Sequence, residues 1–179
     1  DDLQLGDGSG NRGMTISSGT SNYGTIAFGD STDGSGTDRY EGFVEYYHSD
    51  NSMRLGTLHT ERLRITSTGD LQRPKSLSQE VSTSVSSVSA TSCGSFVKAT
   101  YRSAYVVAQI TQGTSYQVGR YLLIHDGTTV TTIEESAIAT GSMLGTFEGV
   151  INGANVEFRV TMGIASSATV ITKIESIVV

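Results

Sequence analysis

The feature that most constrains this chain is its punctuation. In the first 71 residues the apolar runs are brief, and three of them, each three to six residues long, lie among Gly, Asp, Asn and Ser. Met14-Thr15-Ile16, Gly24-Thr25-Ile26-Ala27-Phe28-Gly29 and Gly42-Phe43-Val44-Glu45-Tyr46-Tyr47 are the units. Runs this short cannot cover two turns of a helix, and the residues that end them are turn formers. The 21 Gly and the abundant Ser and Thr are poor in helix interiors, whereas Thr, Val, Ile and Tyr suit a pleated surface. Short strands joined by glycine-rich turns are therefore expected. Asp50-Asn51-Ser52, between Tyr46-Tyr47-His48 and Met53-Arg54-Leu55, reads as a hairpin turn. Leu63, Ile65 and Ser67 then alternate with Arg62, Arg64 and Thr66, and Ser67-Thr68-Gly69-Asp70 closes that strand.

The second half is denser. A long strand region is expected over 96–111, bent or bulged because apolar residues occupy both parities. Tyr116, Val118, Leu122 and Ile124 alternate up to the turn His125-Asp126-Gly127-Thr128, and strands are expected over 130–138 and 147–151. In the cleanest strand Val156, Phe158, Val160 and Met162 oppose Glu157, Arg159 and Thr161, and a last strand covers 170–179. Six or more strands at regular spacing with turn signals suggest an antiparallel sandwich.

Between the halves lies a serine-rich stretch after the single proline, Pro74. Leu77, Val81, Val85 and Val88 fall at helical spacing and could form a short coiled coil, but Ser and Thr between them disfavour a helix. An extended linker or a first strand is the better reading. The expected fold class is all-β: a Gly-rich, intertwined, fibre-like strand-turn region at 1–75, a Ser-rich linker at 76–93, and an antiparallel β-sandwich at 94–179. The first region has too few large apolar side chains for a core of its own, so copies of the chain are expected to supply the missing contacts.

Charge and composition exclude several classes. The net charge is −6 and no run of Lys or Arg exists, so the clustered cations that displace counterions from nucleic-acid phosphate are missing. No apolar stretch approaches the roughly 20 residues of a membrane-spanning helix, so no membrane insertion is expected. Cys93 is alone, which rules out an intrachain disulfide, and a small buried residue is its plainest role. The chain opens on Asp1-Asp2 rather than Met, as a fragment or processed piece would.

The candidate chemistry is sparse. His48, His59 and His125 are the only histidines, and only His48 and His59 could approach across a hairpin. Asp30, Asp33 and Asp38 surround two glycines and form the one candidate Ca²⁺ set, although no Glu closes the loop as in an EF-hand and a solvated loop explains it more simply. Glu134 and Glu135 are strand neighbours that point to opposite faces, which is no catalytic dyad. Asp126 is expected to bond its local backbone and Gly127 to supply positive φ. Tyr40, Tyr46, Tyr47, Tyr101, Tyr105, Tyr116 and Tyr121 could stack sugars, but packing is the commoner role. No cofactor, catalytic constellation or enzyme activity is expected.

Two stretches resemble phage structural proteins. The segment from Tyr40 to Thr57, followed by Glu61-Arg62-Leu63-Arg64-Ile65-Thr66-Ser67-Thr68-Gly69-Asp70-Leu71, is similar to a tail-fibre module. There a hairpin with a Tyr-x-His-x-Asp-Asn core precedes a Glu-Arg-aliphatic-Arg-Ile strand. Tyr46, His48, Asp50, Asn51, Glu61, Arg62, Arg64 and Ile65 carry the match. Tail-fibre proteins of this kind often continue into a self-cleaving chaperone domain; this chain departs there, with no Ser-Lys or Ser-His pair placed for autocleavage. The second stretch, Ala99–Val118 with Leu123–Thr128, Leu144–Gly149 and Ile151–Val156, resembles a β-domain of marine and cyanobacterial phage virion proteins. The resemblance implies a homotrimeric component on the virion exterior, a tail fibre or appendage in contact with other virion proteins and with a host surface glycan or protein receptor. A capsid or neck decoration protein is the alternative, and a polysaccharide-cleaving tailspike the third.

Overall fold

The computed structural model describes residues 10–30 and 38–179. Among these the chain is almost entirely β and divides into two compact units, Asp1–Thr68 and Gly69–Val179.

The first unit is an antiparallel meander of β1 (Tyr23–Phe28), β2 (Gly42–Tyr47), β3 (Ser52–Thr57) and β4 (Thr60–Ile65), with a 3-10 turn at Asp38–Tyr40 before β2. The register puts Ile26, Val44, Leu55 and Leu63 in one row and Thr25, Glu45, Arg54 and Arg64 in the next. Because strand side chains alternate, one face is apolar and the other charged. Among the described residues no second sheet covers either face, although Met14 and Ile16 lie against the apolar face beside Gly24, Ile26, Val44 and Met53. The unit's described residues contribute nothing to the buried apolar core, whose members begin at Val85. Phe28, Met53, Leu55 and Ile65 all remain exposed on the apolar face.

The second unit is a sandwich. Its larger sheet contains β5 (Leu71–Arg73), β6 (Ser76–Val85), β8 (Tyr101–Gln112), β9 (Ser115–His125), β10 (Val130–Ala139) and β13 (Ala168–Val178), in the order β5-β6-β13-β8-β9-β10. The smaller sheet is β11 (Gly145–Asn152), β12 (Asn155–Met162) and β7 (Thr91–Val97), in the order β11-β12-β7. Between them lie Val106, Ala108 and Ile110 of β8, Tyr121 and Leu123 of β9, Val170 and Ile174 of β13, and the expected Val156-Phe158-Val160-Met162 row of β12, all buried. Phe147 and Phe158 stack at 5.0 Å between centroids, and Tyr121 leans on both at 5.1 and 5.2 Å. Buried Gln117 ties the sheets together: its amide donates to the Gly145 carbonyl at 2.9 Å and accepts from the Leu144 and Gly145 amides at 2.6 and 3.1 Å.

Three expectations need correcting. Residues 76–93 are not a linker: β6 is a ten-residue strand zipped along β13, and β7 begins at Thr91. Leu77, Val81 and Val85 lie an even number of residues apart, so their spacing keeps one strand face inward as readily as one helix face, while Val88 lies beyond the strand and is exposed. The units also divide at 68/69 rather than near 75, because β5 folds through the Pro74-Lys75 turn onto β6 and belongs to the sandwich. Nor is 96–111 one bent strand. The chain turns at 98–100, leaving β7 in the smaller sheet and β8 in the larger. The mixed parity reflects a change of sheet.

Candidate functional site

Tyr46 and Ile65 of the tail-fibre-like motif lie on the apolar face of the first unit, while its Asp50, Glu61 and Arg64 come together on the charged face. The β2–β3 loop reverses through Asn51 at φ 53°, a left-handed conformation that Asn tolerates well. Asp50 closes the loop from within, accepting from the Ser52 amide at 3.2 Å and the Ser52 hydroxyl at 2.6 Å. The Tyr46 hydroxyl donates to the Asn51 side-chain carbonyl oxygen at 3.1 Å, and His48 packs against the edge of the Tyr46 ring.

Arg54 is the hub of this face. Its guanidinium donates to Asp50 at 2.7 Å and to the Ser52 hydroxyl at 2.9 Å, lies 3.6 Å from Glu61, and sits 4.6 Å over the Tyr47 ring. Tyr47 stacks on Tyr23 across the sheet at 4.2 Å, and Arg54 also reaches the Tyr23 ring at 5.7 Å. Arg64 forks onto both Glu61 oxygens at 2.9 and 2.8 Å. Cross-strand register makes these contacts available, since Glu45, Arg54 and Arg64 lie side by side. The bulge after Leu55 leaves Arg62 without a register partner, and its Nε donates to the Thr57 hydroxyl at 3.1 Å.

The electrostatics follow from this packing. The Ser52 hydrogen bond, with Arg54 and Arg64 nearby, holds the Asp50 carboxyl below its ordinary value. Glu45 moves the other way: partial burial and the neighbouring Glu61 raise it, against the pull of Arg54. Asp50 and Glu61 are engaged with Arg54 and Arg64 and form a fixed polar surface. The motif's polar residues are thus explained by closing a hairpin and bracing β3 against β4. Tyr23, which the motif does not include, completes the aromatic stack; its only signal in the sequence is its place just before the Gly24–Gly29 run.

The next turn is unusual. Leu58 and His59, the two loop residues between β3 and β4, both have positive φ (51° and 55°), as in a type I′ turn that Asn-Gly would normally fill. Leu58 is exposed at its tip. His59 anchors it, with Nδ1 3.1 Å from the Tyr40 carbonyl and Nε2 3.1 Å from Glu41.

The remaining candidates separate. Asp33 lies outside the described residues and Asp30 is exposed in a bend, so the acidic loop Asp30/Asp33/Asp38 is not brought together as a described site. Among the described residues no group of three or more His, Cys, Asp or Glu side chains could hold a metal ion. His48 and His59 take different partners, and buried His125 meets the Tyr101 carbonyl through Nε2 at 2.7 Å. Asp126 accepts from the amides and hydroxyls of Thr128 and Thr129 at 2.7 to 2.9 Å, which holds its carboxyl far below the usual range, and Gly127 has φ 102°. A β-bulge between Glu134 and Ser136 interrupts the register at the two glutamates. Tyr101 and Tyr121 are buried, whereas Tyr40 and Tyr116 are exposed. Burial pushes the Cys93 thiol up to about 12, and its Sγ donates to the Phe158 carbonyl at 3.2 Å.

No family model matches the chain, and no curated protein matches it. Among solved structures it is similar to the tailspike protein of Acinetobacter baumannii phage AM24, with 8% identity and a TM-score of 0.39 over 58% of this chain and 26% of that one. It is also similar to the tailspike protein of Acinetobacter phage vB_ApiP_P1, with 18% identity and a TM-score of 0.34 over 55% of this chain and 22% of that one. The chain therefore spans about a quarter of the length of each.

Proposed function

We propose that this chain is a non-enzymatic, homotrimeric structural segment of a phage tail fibre or appendage that contributes to host-surface attachment. The observation that carries the reading is the first unit. Four strands have an apolar face covered only in part by Met14 and Ile16, and none of the unit's described apolar residues is buried. A sheet whose apolar face stays this open is marginal in water, and other copies would supply the missing contacts. A fibre meets that need by wrapping identical chains around one axis, and the Tyr46–Ile65 motif resembles tail-fibre modules in the same unit. The non-enzymatic part is supported by the hairpin carboxylates, which are spent on Arg54, Arg64 and Ser52. Attachment would fall to exposed loops such as the Leu58-His59 tip.

Light scattering on the purified chain tests the assembly: a particle of about three times the 18.9 kDa chain mass is expected, and a stable monomer ends the reading. Gold-labelled antibody against the chain is expected to decorate the tail of particles that carry it; label on capsid or neck would move the assignment there.

A further inference from the structure

We propose that the outer face of the larger sheet in the second unit, over β8, β9, β10 and β13, is a contact surface between copies of this chain. This deepens the trimer reading above, on which it rests, by naming the face that is covered.

The sandwich treats its two outer surfaces differently. On the smaller sheet, strand alternation turns Thr146, Glu148, Asn152, Glu157, Arg159 and Thr161 outward. Charges there are solved locally, with Arg159 on Glu157 at 2.8 Å and Asn152 on Glu157 at 2.6 Å. That is an ordinary wet face. On the larger sheet the outward residues include two aliphatic clusters. Leu122 and Ile124 of β9, Ile133 of β10 and Ile177 of β13 form one cluster around a groove of ≈ 330 Å³. Tyr116 and Val118 of β9 with Ile138 of β10 line a second groove, and Ile171 of β13 lies in the same cross-strand row. Ile138 is 69% exposed, Ile133 58% and Ile177 57%.

The exposed parts of these eight residues, in two clusters, together amount to on the order of 800 Å², close to one partner's share of a standard interface. The β6 flank carries Ser76, Ser78, Ser82 and Ser84 on the same face, a small polar rim beside an apolar centre.

Charge identifies the occupant as a second copy. The chain carries −6, so identical copies repel except where the surface is balanced. Between the two clusters runs one row of mixed charge, partly engaged within the chain. Lys173 lies 3.6 Å from Glu175 and opposite Glu80 in register. Arg120 donates to the Tyr105 hydroxyl, lies over that ring at 5.4 Å, and is acted on by Glu135. A partner covering this row meets both signs, Arg120 and Lys173 beside Glu80 and Glu175, and a second copy carries the same mixed set to answer them. A basic partner would find no unpaired carboxylate row to read; a copy finds a surface of its own polarity.

The test uses the full chain. Hydroxyl-radical footprinting compares concentrated with dilute protein, alongside light scattering, for the wild type, the I124E/I133E variant and the control Thr146→Glu on the polar face. The expected result is at least tenfold protection of Leu122, Ile124 and Ile133 in the oligomer, with Val97 and Val150 unprotected. I124E/I133E is expected to lose the protection at Leu122 and raise the dissociation concentration at least a hundredfold, while Thr146→Glu behaves as wild type. An oligomeric wild type whose Leu122, Ile124 and Ile133 stay reactive overturns the proposal and leaves the trimer reading standing. So does a face that closes only when another virion protein is added. A monomeric wild type overturns both.

Discussion

Replacing Arg54 tests the account of the charged hairpin most directly. Its side chain is 12% exposed and engages Asp50, Ser52, Glu61 and two tyrosine rings. A hydrogen bond to a charged partner contributes about 1.5–3 kcal/mol when well buried. Asp50 is 41% exposed, so solvent screening brings that contact toward the lower end or below. Stacking of the guanidinium on tyrosine adds about 0.5–1 kcal/mol at a partly exposed site. Arg54→Ala should therefore cost the first unit about 2–3 kcal/mol, and Arg54→Lys about 1–2, because an ammonium keeps the charge but loses the fork and the stack. Hydrogen exchange of the β2–β3 and β3–β4 amides, at fixed protein concentration because association shifts apparent stability, reads the change locally. A cycle with Asp50→Asn should show coupling of about 1 kcal/mol. Lysine indistinguishable from arginine, or coupling within error of zero, would refute the hub.

Other positions give sharper local outcomes. Phe158→Ala removes the ring between Tyr121 and Phe147 and should destabilise the sandwich by about 3–5 kcal/mol in calorimetry. Leu58→Gly should stabilise the first unit by about 1 kcal/mol, since Gly bears no left-handed penalty but is freer when unfolded; a loss of protection in exchange would show that the leucine packs on something. Asp126 has a depressed folded pKa, so its contribution is present above the unfolded carboxyl value near 3.8 and fades as pH falls below it. Asp126→Asn should accordingly lower the melting temperature at pH 7, and the gap to wild type should narrow below about pH 4. Cys93, buried and pushed to about 12, should resist a thiol reagent at pH 8 in the folded protein and react at once in denaturant.

Much of the fold is legible in the sequence because strand alternation is a strong signal where one face is buried. Val156, Phe158, Val160 and Met162 fall on one face by spacing alone, and all four are buried. Legibility fails where polar residues occupy strands. The serines of β6 resemble a linker because what makes them a strand is β13, about ninety residues away, and no local pattern records that partner. The motif tyrosine, aspartate and arginines are visible as a set, but their service to hairpin closure is not, because Arg54 meets Tyr23 only through cross-strand register. The Leu58-His59 turn is equally silent, since neither residue carries the glycine signature of positive φ.

The placement of β13 sets an order on synthesis. It lies between β6 and β8, pairing with both, yet it follows them by more than fifty residues. Until residues 168–178 have left the ribosome, β6 and β8 each hold an open edge and the larger sheet exists only as two separate hairpin systems. Such distant pairing makes for slow closure. It also means that the aliphatic clusters of the outer surface are complete only once β13 brings Ile171 and Ile177 into line with β8. Nascent chains from which residues 168–178 have not yet emerged would thus lack the finished surface.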